Sequence, residues 1–64
     1  MSEFENFKNR ILSAPEKSVD IDFEIGYCHK RLYFDYTEGN TYFSDCIIFL
    51  QGLAHYRGIK TWLK

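Results

Sequence analysis

Proline occurs once, glycine four times and cysteine twice in 64 residues. So little proline and glycine excludes a collagen-like or low-complexity chain. Cys28 and Cys46 are too few for the disulfide framework of a small secreted domain. The longest apolar run, Cys46–Leu50, is far short of a membrane span. The opening Met1-Ser2-Glu3-Phe4-Glu5 has no apolar stretch of the kind a signal peptide carries. These absences point to a cytoplasmic protein with two reduced thiols and no membrane association. Charge of a single sign is also missing: eight Lys and Arg against nine Asp and Glu leave −1. No overall basic field exists to hold a nucleic acid. Neither G-x-G-x-x-G nor G-x-x-x-x-G-K-[ST] occurs, so nucleotide binding has no support. A chain this short makes one domain, residues 1–64, and is too small for a two-domain enzyme.

Aromatic residues are what the chain has in plenty: 19%, as six Phe, five Tyr and one Trp. Their placement follows from periodicity. Ser2 and Glu5 have capping-box spacing, and Phe4, Phe7, Ile11 and Leu12 recur on one helical face. Pro15 ends that helix, predicted over about Ser2–Ala14. Val19, Ile21, Phe23, Ile25 and Tyr27 then alternate with Asp20, Asp22, Glu24 and Gly26, the period-2 signature of a strand. Leu32, Phe34 and Tyr36 alternate likewise with Tyr33, Asp35 and Thr37. A turn at His29-Lys30 would pair these strands. Gly39, free to take positive φ, would start a third over Asn40–Phe43.

Ser44 or Asp45 can cap a second helix with the apolar stripe Cys46, Ile47, Leu50, Leu53 and Ala54. Gly58 suits its C-terminal end, with Arg57 close to the negative helix pole. Residues 59–63 fit either a helical ending or a fourth strand. The expected fold is α+β: a three-stranded antiparallel sheet with an N-terminal helix and a C-terminal helical segment on one face, in the order αβββα.

Few residues here can carry chemistry. Cys28, His29, Cys46 and His55 do not have the paired spacing of a structural zinc site. Cys28 with His29 or His55 could be written as nucleophile and base, but nothing supplies an oxyanion hole. The reading therefore assigns no catalytic residue, no metal and no cofactor, and a protein that is not an enzyme.

A strand would line up Asp20, Asp22 and Glu24 about 6–7 Å apart on one face. Asp35 on the neighbouring strand adds a fourth carboxylate. An exposed sheet face must be polar in any case, which explains the same residues without a function. Tyr33, Tyr42, Phe49, Tyr56 and Trp62 exceed what one sheet face and two helix stripes can enclose. Surplus aromatics on so small a chain suggest a contact surface. A tightly wrapped core accounts for them equally well.

The layout resembles the small proteins that phages and mobile elements use against host machinery, anti-CRISPR inhibitors among them. The residues that carry the resemblance are Glu38-Gly39-Asn40-Thr41-Tyr42-Phe43 running into a helix, with Asp20, Asp22, Glu24 and Asp35. It implies an inhibitor acting by steric occlusion. The αβββα order is also similar to that of the double-stranded RNA-binding domain, but Ser44–Phe49 holds no Lys or Arg to meet phosphates. The expectation is a small non-enzymatic protein-binding module. Its expected partner-binding residues are Asp20, Asp22, Glu24, Tyr33, Asp35, Tyr42, Tyr56 and Trp62. A homo-oligomeric assembly subunit is the first alternative. A single-strand nucleic-acid binder stacking bases on Tyr33 and Tyr42 is the second, opposed by the flanking carboxylates.

Overall fold

Ser2 opens the first helix as expected: its Oγ accepts from the Glu5 amide at 3.1 Å. The computed structural model describes residues 2–35 and 38–60. Helix α1 spans Glu3–Ser13, with Glu3 and Glu5 in the first turn and Arg10 in the last. Both charge placements suit the helix dipole. Pro15 cannot continue the helix and leads instead into a 3₁₀ turn, Glu16–Ser18.

The next element overturns the expected sheet. Residues 21–34 form one continuous helix, α2 (Ile21–Phe34), and α3 follows as Tyr42–Arg57. No strand occurs among the described residues. The expected α+β, αβββα class is therefore replaced by an all-helical one, and the layout behind both family resemblances is not formed. The presumed His29-Lys30 turn lies inside α2. The presumed third strand is the loop before α3 together with its first two residues. Tyr36 and Thr37 of the second expected strand lie outside the described residues. Ile59 and Lys60 are in neither helix nor strand, and the rest of the 59–63 alternative lies outside the described residues.

The physical reason lies in α2 itself. Ile21, Ile25 and Cys28 are buried, and Leu32 packs against the same core. Their i, i+4, i+7, i+11 spacing is one helical stripe. Phe23, Tyr27 and Phe34 form a second apolar stripe on the opposite side. Taking one residue from each stripe in turn produces Ile21, Phe23, Ile25, Tyr27, which imitates strand alternation.

Asp20, Asp22 and Glu24 also read differently on a helix. Asp20 is the N-cap: its Oδ1 accepts from the Phe23 amide at 3.1 Å. Asp22 and Glu24 sit in the first turn, at the positive end of the dipole. Asp20→Ala should therefore lower stability by about 1 kcal/mol. A urea titration checks this, and Asp20→Asn, which keeps an acceptor, should recover most of the loss. An unchanged midpoint in Asp20→Ala would show that the cap is dispensable.

Helix α3 packs against both α1 and α2. Arg31 lies over the Phe43 ring at 5.8 Å, while Cys28 contacts Cys46 three residues further into each helix. The two contacts step in opposite directions along the chain, so α2 and α3 run antiparallel. Phe49 of α3 lies 6.3 Å from both Phe4 and Phe7 of α1, edge to face with each. Such pairs favour a fixed ring geometry beyond the area they bury. The buried core is Phe7, Ile11, Ile21, Ile25, Cys28, Cys46, Ile47, Leu50 and Ala54. Helix α3 starts at Tyr42, ahead of the expected Ser44 or Asp45. The Tyr42 amide donates to Asn40 Oδ1, and Thr41 Oγ1 donates to Asp45 Oδ2. Gly58 ends it in the left-handed region at φ 70°, where a side chain would be strained.

Candidate protein-contact surface

The seven described residues among the eight expected to bind a partner do not form one surface. On a helix each residue turns about 100°, so Asp20 and Glu24 share a side of α2 while Asp22 points elsewhere. Glu24 is engaged with Arg10 of α1 at 3.4 Å. Asp35 caps the end of α2 and pairs with Arg31 at 2.6 Å. Asp22 is half-buried, and its Oδ1 is buried without a hydrogen-bond partner among the described residues. The continuous acidic face required a strand, and it is absent. Asp20 and Asp35 cap the two ends of α2, Glu24 ties it to α1, and Asp22 sits in its first turn.

The aromatic expectations divide in the same way. Tyr33 and Tyr56 are 81% and 87% exposed. Tyr42 is half-buried, edge to face with Phe7 and Phe43. Phe49, expected to be surplus, packs against the core. Trp62 lies outside the described residues.

Phe23, Tyr27 and Phe34 were expected to face inward, and here they face out. They are 66%, 49% and 69% exposed. Only Lys30 interrupts the stripe they make along α2, and Tyr33 adjoins it with its ring 5.0 Å from that of Phe34. The signal was present in the 23, 27, 30, 34 spacing, which is a helical repeat of alternating four and three. On α3 a smaller apolar pair, Ile48 and Tyr56, is also exposed. A helix that is apolar on two sides must be covered on both or leave one in water. α3 covers the inner side of α2, and the outer side is left exposed.

Cys28, next to the expected His29-Lys30 turn, is instead a buried core residue inside α2 beside Cys46, and both are free thiols. Burial, then the neighbouring Cys46, pushes the Cys28 pKa up to about 12. Burial raises Cys46 as well. For Tyr42, burial and then Cys46 raise the phenol to about 12. Groups held so firmly in their neutral forms are poor nucleophiles at neutral pH.

Two open depressions, of about 320 and 440 Å³, flank Glu3 and Tyr42. Neither is lined by a cysteine or a histidine. Among the described residues no group of three or more His, Cys, Asp or Glu could hold a metal ion, and no helix is long and apolar enough to cross a membrane. No protein-family model, curated protein or solved structure matches the chain.

Proposed function

We propose that this protein is a small non-catalytic protein-binding module whose contact surface is the outer face of α2. The observation that carries this reading is the stripe Phe23, Tyr27 and Phe34, with Tyr33 beside it. These are four large rings on one side of one helix, at least half exposed or close to it. With about 200 Å² per aromatic side chain, they leave on the order of 500 Å² of ring surface in water. That is at the upper end of the apolar patches monomers tolerate, and patches of this size mark interaction sites. Aromatic residues are also the side chains that dominate binding energy at interfaces.

Neither Phe23 nor Phe34 belongs to the buried core. Phe23→Ser with Phe34→Ser should therefore retain helicity while losing proteins that the unaltered chain retains from lysate of the cell that makes it. Circular dichroism checks the first half and side-by-side retention the second. Equal retention by both proteins would move the contact surface elsewhere.

A further inference from the structure

We propose that the occupant of the outer α2 face is a second copy of this chain, with the two α2 helices packed antiparallel about a two-fold axis level with the midpoint between positions 28 and 29. The inference rests on the reading of that face as a contact surface and adds the identity of the partner.

The register follows from the stripe. Positions 23, 27, 30 and 34 have the four-three spacing of a helix–helix seam. Reversing one copy about that midpoint sets Phe23 against Phe34 of the partner and Tyr27 against Lys30 of the partner. Each pair occurs twice, as an isologous interface requires. The two phenylalanine layers close the ends of the seam. In the middle, each Lys30 stem covers apolar surface beside Tyr27 of the partner, and the two Lys30 ammonium groups, only about 4.5 Å apart along the seam, splay outward into water to avoid each other.

The flanks of the seam are self-complementary as well. A two-fold axis perpendicular to the helix pair keeps the same flank of each copy on the same side. One flank carries Glu24 and Arg31, so Glu24 comes beside Arg31 of the partner, offset by only about 3 Å along the helices at ~1.5 Å rise per residue. Opposite charges therefore meet twice. Arg31 already holds Asp35 and lies over Phe43, and Glu24, its side chain 20% exposed, already holds Arg10, so the crossing requires both side chains to turn outward from these contacts. The other flank carries Gly26 and Tyr33. A Cβ at Gly26 would meet nothing within 4 Å inside the monomer, so its own fold does not need glycine there. Glycine within a helix is unfavourable by about 1 kcal/mol relative to alanine. In the paired form Gly26 leaves space beside the seam for the ring of the partner's Tyr33.

Sedimentation equilibrium across a dilution series, with charge-exchanged variants, tests the pairing. The unaltered chain should show a monomer–dimer equilibrium. Glu24→Lys alone and Arg31→Glu alone should each weaken it roughly tenfold, because both crossings become repulsive. An equimolar mixture of the two variants should restore the unaltered affinity. In the mixed dimer the lysine introduced in one chain meets the glutamate introduced in the other, and the unaltered Arg31 of the first meets the unaltered Glu24 of the second. Restoration on mixing cannot come from a general loss of stability. A chain that stays monomeric at every concentration overturns the proposal, as does a dimer indifferent to both substitutions. In either case, face-dependent retention of a different protein from lysate would leave the contact-surface reading standing with another occupant.

Discussion

Leu50→Ala should remove about 2–5 kcal/mol of stability and leave a large unfolded fraction at room temperature. Leu50 is fully buried and sits on α3, the helix that packs against both of the others. Truncating it removes apolar contacts and opens a cavity that a small core can only partly close. A domain of 64 residues has a total stability on the order of 3–10 kcal/mol, so the loss is comparable to the whole. Ile48→Ala on the same helix is the control. Ile48 is 68% exposed, and its truncation should change stability by only about 0.5 kcal/mol in the dilute monomer. Urea denaturation of both variants at low protein concentration measures the difference. Equal midpoints would mean that α3 presents a different face to the core.

The second large effect is expected in alkali. Cys28 and Tyr42 have folded-state pKa values raised to about 12, from ordinary values of 9.0 and 10.0. A group with a raised folded pKa keeps its full contribution to stability below its unfolded pKa. The contribution is lost as pH rises toward the folded pKa, because the unfolded chain releases its proton first. The melting temperature should therefore be level from neutral pH to about 8 and fall progressively between 9 and 12. Cys28→Val keeps an apolar residue of similar size at the site and removes one of the titrating groups. Its decline should be shallower than that of the unaltered chain, because Cys46 and Tyr42, both raised as well, still titrate. Thermal melts by circular dichroism across the alkaline range measure both. A variant that declines in parallel with the unaltered chain would show that burial of Cys28 is not what couples pH to folding.

The local punctuation of the chain was legible from the start. Ser2 caps α1, Pro15 stops it, Gly58 ends α3, and Gly39 takes positive φ at 87° before that helix. The core stripe Cys46, Ile47, Leu50, Leu53 and Ala54 lies where its spacing placed it. These features depend on hydrogen bonds and backbone angles within a few residues, so neighbouring residues suffice to specify them. The middle of the chain was misread because two apolar stripes on one helix produce the same alternation as one apolar face of a strand. Residues 19–27 fit both periods. What separates them is the continuation through Cys28 and Leu32 on one side and Lys30 and Phe34 on the other, without any break at His29-Lys30.

The site suffered from the same ambiguity. Asp20, Asp22 and Glu24 looked like a charged face, and on a helix they are a cap and a first turn. Phe23, Tyr27 and Phe34 looked like core, and they are the exposed stripe. The surplus of aromatic residues was correctly visible as a quantity, but which rings made up the surplus was not. Phe49 fits between Phe4 and Phe7 only because α1 and α3 cross there.

By itself, the sequence determined where two of the three helices lie, which residues bound α1 and end α3, and that there are more rings than one small core needs. Tertiary structure alone decided the state of residues 19–35 and the side on which each ring falls. The physical reason is that the alternation over residues 19–27 fits either one apolar face of a strand or two apolar stripes of a helix. Packing of Ile21, Ile25, Cys28 and Leu32 into the core with α3 selects the helix, and that choice leaves Phe23, Tyr27 and Phe34 on the outside.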